Sequence, residues 1–247
     1  MDGRFAIKKL SSVTRLFLLK LIKLISFLKG LFCYFFKLNN NSFAGPPSEV
    51  IIIGFIDKNH LIHVKEPYSK LFPKQNLHTG GSFREYKRGV IDLVLIEDKV
   101  FIRKAYWGSI KNKMKFFNEI ECLNKLGQLK NIPTIHFADY NNLVIYLEYI
   151  RGSCLHIILN SKQGYSATFI NKLSEDCKIA LRKIHKNNIA VIDIQPQNII
   201  YNSDKQDVFF IDFADSICSS LIPGRYLRFL QKSDELYLSE RVLCKLL

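Results

Sequence analysis

The chain has 247 residues, 48% hydrophobic and 13% aromatic, so it can bury a sizeable core and is neither disordered nor of low complexity. Its length limits it to one two-lobed domain, or one domain with an appendage, and 12 Gly with 7 Pro exclude a collagen-like repeat. Thirty-six Lys and Arg against 22 Asp and Glu give a formal charge of +14, which favours an anionic partner: nucleic acid, a phosphate-bearing substrate or an acidic lipid surface.

Residues 1–45 form a basic N-terminal segment. Up to residue 40 it holds eight Lys or Arg (Arg4, Lys8, Lys9, Arg15, Lys20, Lys23, Lys29 and Lys37) and one acid, Asp2. Lysines recur through the apolar run Leu16–Leu38, so a spanning helix is not expected, and no small-residue cleavage site follows it cleanly. At 100° per residue Phe17, Leu21, Leu24, Leu28, Leu31 and Phe35 share one face while Lys20, Lys23, Lys29 and Lys37 gather on the other, the pattern of an amphipathic helix lying in a membrane interface. The alternative is a helix packed on the domain. Asn39–Ser42 and Gly45-Pro46-Pro47 then break the helix.

The next stretch reads as strands: Val50–Ile56, Val90–Ile96, and Val100–Lys104 joined to the second by a turn at Glu97-Asp98. Alternation puts Val100, Ile102 and Lys104 on one face of the last strand, and Phe101 and Arg103 on the other. Apolar residues at helical spacing (Met114, Phe117, Ile120, Leu123, Leu126) predict a helix over Lys111–Leu126 that carries Glu119. A strand is expected over Leu143–Ile150 and a helix over Ala167–Lys186, with Phe169, Ile170, Leu173, Cys177, Ala180, Leu181 and Ile184 as its core stripe. Short strands at Asn198–Tyr201 and Val208–Ile211 follow, and Tyr226–Leu247 is expected to close the chain with one or two helices. The class is α+β, with a smaller β-rich part first. The cysteines, at 33, 122, 154, 177, 218 and 244, show no Cys-x-x-Cys pair, so neither a zinc site nor a disulfide framework is expected and a reducing cytoplasm is the simpler setting.

The chemistry is concentrated in Ile184–Asp215. Asp193 precedes Asn198 by five residues with Pro196 between them, and a strand 14 residues after Asn198 ends at Asp212-Phe213-Ala214. Phosphoryl transfer uses these groups: a carboxylate to orient or deprotonate an acceptor hydroxyl, and hard oxygen ligands to hold Mg²⁺ on phosphates.

With Lys104 on a strand and Glu119 on the helix after it, the pattern resembles the protein-kinase-like superfamily over roughly residues 75–215. The resemblance implies a two-lobed fold over 48–247, with a β-rich N-lobe (48–147), a minimal helical C-lobe (151–247) and the amphipathic helix ahead of them. It implies Asp193 as catalytic base and Asn198 and Asp212 as metal ligands. Lys104, oriented by Glu119, would hold ATP phosphates, Gly80 and Gly81 would form a reduced phosphate loop, and the backbone of Glu148 and Ile150 would act as a hinge for adenine. ATP and Mg²⁺ are the implied cofactors.

The sequence also departs from the usual pattern. Val191-Ile192-Asp193 stands for His-Arg-Asp, Gln195 for the lysine two after the aspartate, and Ala214 for glycine; His78–Phe83 is a poor glycine-rich loop. Arg103 could compete with Lys104 for the phosphates. The 33 residues after Ala214 are expected to be too few for a long activation segment and a large peptide-docking lobe. Compact C-lobes of this sort resemble RIO-type, aminoglycoside and choline kinases, and most of all the bacterial lipopolysaccharide-core (Kdo/heptose) kinases. This similarity implies phosphorylation of a sugar hydroxyl of a lipid-linked glycan by a cytoplasmic protein peripheral on the inner face of the cell membrane. Two other readings stay open: a small atypical protein serine/threonine kinase, and a pseudokinase serving as a regulatory binding module. Nucleic acid is not an expected partner, since no RNA-binding motif appears.

Overall fold

The computed structural model describes residues 49–56, 62–65, 68–72, 77–79, 91–161, 164–218 and 224–245. The N-terminal segment, Gly80 and Gly81 lie outside the described residues, as does Cys33.

Seven of the described strands make one sheet in the order β3-β2-β1-β4-β5-β7-β6. They are β1 (Ile51–Ile56), β2 (Ile62–Val64), β3 (Leu77–Thr79), β4 (Ile91–Ile96), β5 (Lys99–Ala105), β6 (Ile135–Asp139) and β7 (Val144–Glu148). All neighbours are antiparallel except β2 and β3. Glu97 and Asp98, at φ 47° and 62°, make the tight β4–β5 turn; left-handed conformation at both central positions suits the twist of a two-residue hairpin. The register pairs Lys104 with Ile91 on one side and Ile145 on the other, which fixes where the lysine stands.

Helix α1 (Ile110–Leu126) crosses behind this sheet. Ser109 starts it by accepting the Asn112 N–H, and its buried face holds Phe116, Phe117, Glu119, Ile120, Cys122, Leu123 and Leu126. That face is wider than the apolar periodicity predicts, because Glu119 and Cys122 are buried against the segment after Asp212. After β7 come β8 (Ser153–Cys154), α2 (Leu155–Asn160) and α3 (Ala167–Lys186). Helix α3 is capped by Ser166 and buries Ile170, Leu173, Cys177, Ala180, Leu181 and Ile184. Then follow β9 (Ile189–Ala190), β10 (Ile199–Asn202), β11 (Asp207–Phe210), β12 (Ile217–Cys218) and α4 (Gly224–Tyr237). Strand β10 lies between β11 and β8, and β9 pairs with β12. Gly152 precedes β8 where it passes β10: a Cβ there would stand 2.4 Å from the Tyr201 carbonyl oxygen, so no larger residue fits.

Two sequence expectations need correction. The strand expected over Leu143–Ile150 is shorter, because Leu143 turns left-handed at φ 54° and the ladder ends at Glu148. Asn198 does not begin a strand: Pro196–Asn198 is one 3₁₀ turn, and β10 starts at Ile199. The pre-set φ of proline suits the first turn of a helix and not a ladder. One hydrophobic core, including Phe116, Leu123, Ile145, Leu181, Ile184, Ile199, Phe210 and Phe213, joins the sheet and α1 to α3 and the β10–β11 hairpin. Among the described residues no helix is long and apolar enough to cross a membrane.

Candidate active site

Strand β5 places Arg103 and Lys104 on opposite faces. Arg103 turns to the buried Asp92 on β4, 2.5 Å away, while Lys104 turns to the other face, toward α1. Its Nζ donates to Glu119 Oε1 at 2.8 Å and to Asp212 Oδ1 at 3.0 Å. Of the two candidates, then, only Lys104 meets the residues of the Asp-Phe-Ala segment. Burial alone would depress the Lys104 pKa, but the carboxylates of Asp212 and Glu119 outweigh it and hold the ammonium well above its ordinary value.

Glu119 is fully buried. Its Oε1 accepts from Lys104 and from the Phe213 N–H at 3.4 Å, and its Oε2 accepts from the Tyr106 hydroxyl. Burial raises the Glu119 carboxyl's pKa against the lowering pull of Lys104. Tyr106 is a site residue that no motif announces. It sits just past β5, at the edge of the core, with its ring edge-on to Phe116 and 5.7 Å from the Lys104 nitrogen.

Asp212 has the left-handed φ of 63°, uncommon for a residue with a side chain and frequent at functional sites. The turn presents its carboxylate to Lys104 and, with 41% of the side chain exposed, to solvent. Lys104, first among its neighbours, holds that carboxyl below the usual range, and the Ala214 N–H adds to the effect.

The second group of residues lies on the loop between β9 and β10. Asp193 Oδ1 accepts from the Gln195 amide at 2.7 Å, and the Asn198 amide donates to the Asp193 carbonyl at 3.1 Å and to its carboxylate at 3.4 Å. The two groups are joined through the backbone, where Ile211 N–H donates to Asn198 O at 2.9 Å, one residue ahead of Asp212.

This loop hangs from Asp234, buried on α4. Asp234 Oδ2 accepts the Val191 N–H at 2.7 Å and faces His185 Nε2 at 3.1 Å, while Oδ1 accepts the Ile192 N–H at 3.1 Å. The Asp234 contacts hold Ile192 at φ 66°, a strained value for a β-branched residue. The Ile192 side chain packs on an apolar cluster of Ala190, Ile217, Leu227 and Leu230. Sequence reading misses Asp234 because it lies more than forty residues from the loop it holds.

At the end of β7, Glu148 turns its side chain to Thr134, accepting from Thr134 Oγ1 at 3.2 Å, and Ile150 is buried. Any contact of Glu148 with a nucleotide would therefore be through its backbone. Cys122, Cys154, Cys177 and Cys244 carry free thiols. Among the described residues no cluster of three or more His, Cys, Asp or Glu could hold a metal by itself. Asp212 and Asn198 offer one carboxylate and one amide oxygen. That set suits Mg²⁺, which binds through one or two protein oxygens plus substrate phosphates.

A probable inactive serine/threonine-protein kinase of Dictyostelium discoideum is 27% identical over 70% of this chain and 14% of its own length. The bud32 subunit of the EKC/KEOPS complex from the same organism is 23% identical over 66% of the chain and 64% of its own. The chain thus spans less than two thirds of either relative. The solved Cydia pomonella granulovirus kinase PK-1 superposes with a TM-score of 0.45 at 20% identity, over 54% of this chain and 52% of that one. Residues 96–220, half of the sequence, match the protein kinase domain, and the chain belongs to that family.

Proposed function

We propose that the chain is an ATP-dependent phosphotransferase that phosphorylates an alcohol group. The observation that carries the reading is the placement of Lys104 between Glu119 and Asp212, with the Asp193–Asn198 loop fastened to the strand that ends at Asp212. In this reading Lys104 neutralises phosphate charge and Glu119 keeps the ammonium in place. Asp212 and the Asn198 amide oxygen hold Mg²⁺, and the backbone of Glu148 and Ile150 takes the adenine. Bound there, ATP would supply the phosphoryl group and Mg²⁺ would neutralise the charge that develops on the phosphate oxygens. Asp193 accepts the proton of the acceptor hydroxyl, and the Gln195 amide keeps its carboxylate in one orientation.

For the acceptor, the basic N-terminal segment supports a glycolipid at an anionic membrane surface, the sugar hydroxyl of a lipid-linked glycan. The relatives, named as protein kinases, support a protein hydroxyl instead. Gln195 in place of lysine, and one relative described as probably inactive, favour a binding module without turnover.

Phosphate transfer from labelled ATP by the full chain, against glycolipid and protein acceptors in parallel, separates these. Asp193→Asn should lower transfer about 10²–10⁴-fold while ATP binding persists. Wild-type turnover in that variant removes Asp193 as the base, and ATP binding without transfer to any acceptor supports the binding module. Co-sedimentation with anionic vesicles, with and without residues 1–40, tests the membrane: binding should fall as salt rises and vanish on deletion.

A further inference from the structure

One stripe of α1 grips the segment that follows Asp212. Lys115, Asn118 and Cys122, three and four residues apart, share a side of the helix. Lys115 Nζ lies 2.5 Å from Asp215 Oδ2, and Cys122 Sγ lies 3.1 Å from Cys218 Sγ. Between them the Asn118 amide nitrogen reaches three carbonyl oxygens, those of Phe213, Ala214 and Ser216, at 3.3, 2.9 and 2.7 Å. An amide has two N–H bonds, so three acceptors converge on one donor group.

Those carbonyls belong to a single turn, closed by Ser216 N–H donating to Phe213 O at 3.1 Å. The turn starts from the left-handed Asp212. Carbonyl dipoles pointing together repel one another unless a donor lies among them. The Phe213 N–H goes to the neighbour of Asn118 on the helix, Glu119. Adjacent residues of α1 therefore bind the donor and the acceptors of the same turn. The Lys115–Asp215 pair cannot substitute for the amide, since both side chains are partly exposed and such pairs contribute little.

We propose that Asn118 is a positioning residue for Asp212: by gathering the three carbonyls it fixes the turn and keeps the Asp212 carboxylate aimed at Lys104 and the metal position. The contacts need no phosphate on the segment.

The test uses the full chain with Asn118→Leu, which keeps the size and removes the donor, and Asn124→Ala, an exposed position on the same helix, as control. Without nucleotide, hydrogen exchange at residues 212–217 should accelerate about tenfold in Asn118→Leu, with α3 unchanged. Unchanged protection overturns the proposal whether or not the chain binds ATP. The second arm rests on the phosphotransferase reading and measures ATP affinity by calorimetry with and without Mg²⁺. The affinity gained from Mg²⁺ should fall about tenfold, while metal-free affinity stays within about twofold. An equal loss in both, or the same loss in Asn124→Ala, marks a general helix defect and overturns it. A wild-type chain that binds no ATP refutes the phosphotransferase reading, and the exchange arm still decides the role of Asn118.

Discussion

Replacing Tyr106 with Phe removes one hydroxyl from the surroundings of a fully buried carboxylate. The other donors to Glu119, Lys104 Nζ at 2.8 Å and the Phe213 N–H at 3.4 Å, both go to Oε1, so Oε2 loses the partner seen there. The ring contact with Phe116 survives the change. A hydrogen bond to a charged group contributes about 1.5–3 kcal/mol, so Tyr106→Phe should destabilise the fold by about 2 kcal/mol at pH near 8. The pH dependence is a sharper test. Burial already raises the Glu119 pKa, and the tyrosine bond favours the charged form, so its loss raises that value further. A carboxyl whose folded pKa is raised contributes most stability in acid and loses it as pH rises through the folded value. Both proteins start that loss at the unfolded carboxyl value, but the variant, with the higher folded value, goes on losing stability after wild type has stopped, so its deficit against wild type should be larger at about pH 8 than at about pH 5. Urea unfolding at the two pH values, with m-values compared, reads this directly. A deficit below about 0.5 kcal/mol at the higher pH, or one that grows toward acid, refutes the assigned role of the hydroxyl.

Lys104→Met should abolish ATP binding, while Arg103→Met, which breaks the pair with Asp92 on the other face of the strand, should leave affinity within about threefold by calorimetry; the reverse order would mean that the face assignment of β5 is wrong. Asp234→Ala strips two backbone N–H groups and His185 of a buried carboxylate and should cost about 3–5 kcal/mol in urea unfolding. A milder loss would show that the loop holds its shape unaided. Gly152→Ala forces a Cβ to 2.4 Å from Tyr201 O and 2.8 Å from Ile200 Cγ2, and should lower the melting temperature by several degrees; an unchanged melt would deny the close approach.

What the sequence made legible was local. Helix α3 shows its buried stripe within twenty residues, and the β4–β5 hairpin is visible from two apolar runs and a two-residue turn. Lys104, Glu119, Asp193, Asn198 and Asp212 could be picked out because the chain carries them in order at characteristic separations. The supporting groups could not be found that way. Tyr106 resembles any aromatic after a strand, and Asn118 any polar residue on a helix. Asp234 gains meaning only when α4 is brought beside β9. The left-handed Ile192 is similarly hidden, since β-branched residues favour extended backbone and only the contacts from Asp234 and the apolar cluster around it overrule that preference.

The anchoring of the Asp193 loop by α4 also sets an order of events during synthesis. Asp234 follows Asp193 by 41 positions, which a ribosome adds in roughly 2–8 s at about 5–20 residues per second. Over the last 22 of those positions, after Asp212 is added, Lys104, Glu119, Asp193, Asn198 and Asp212 all exist in the nascent chain, yet the Val191 and Ile192 amides have no Asp234 carboxylate to donate to. A fragment ending before Asp234 would hold every one of those five residues and still lack the loop geometry. Assembly of the site is thereby tied to completion of a helix that contributes no atom to its chemistry.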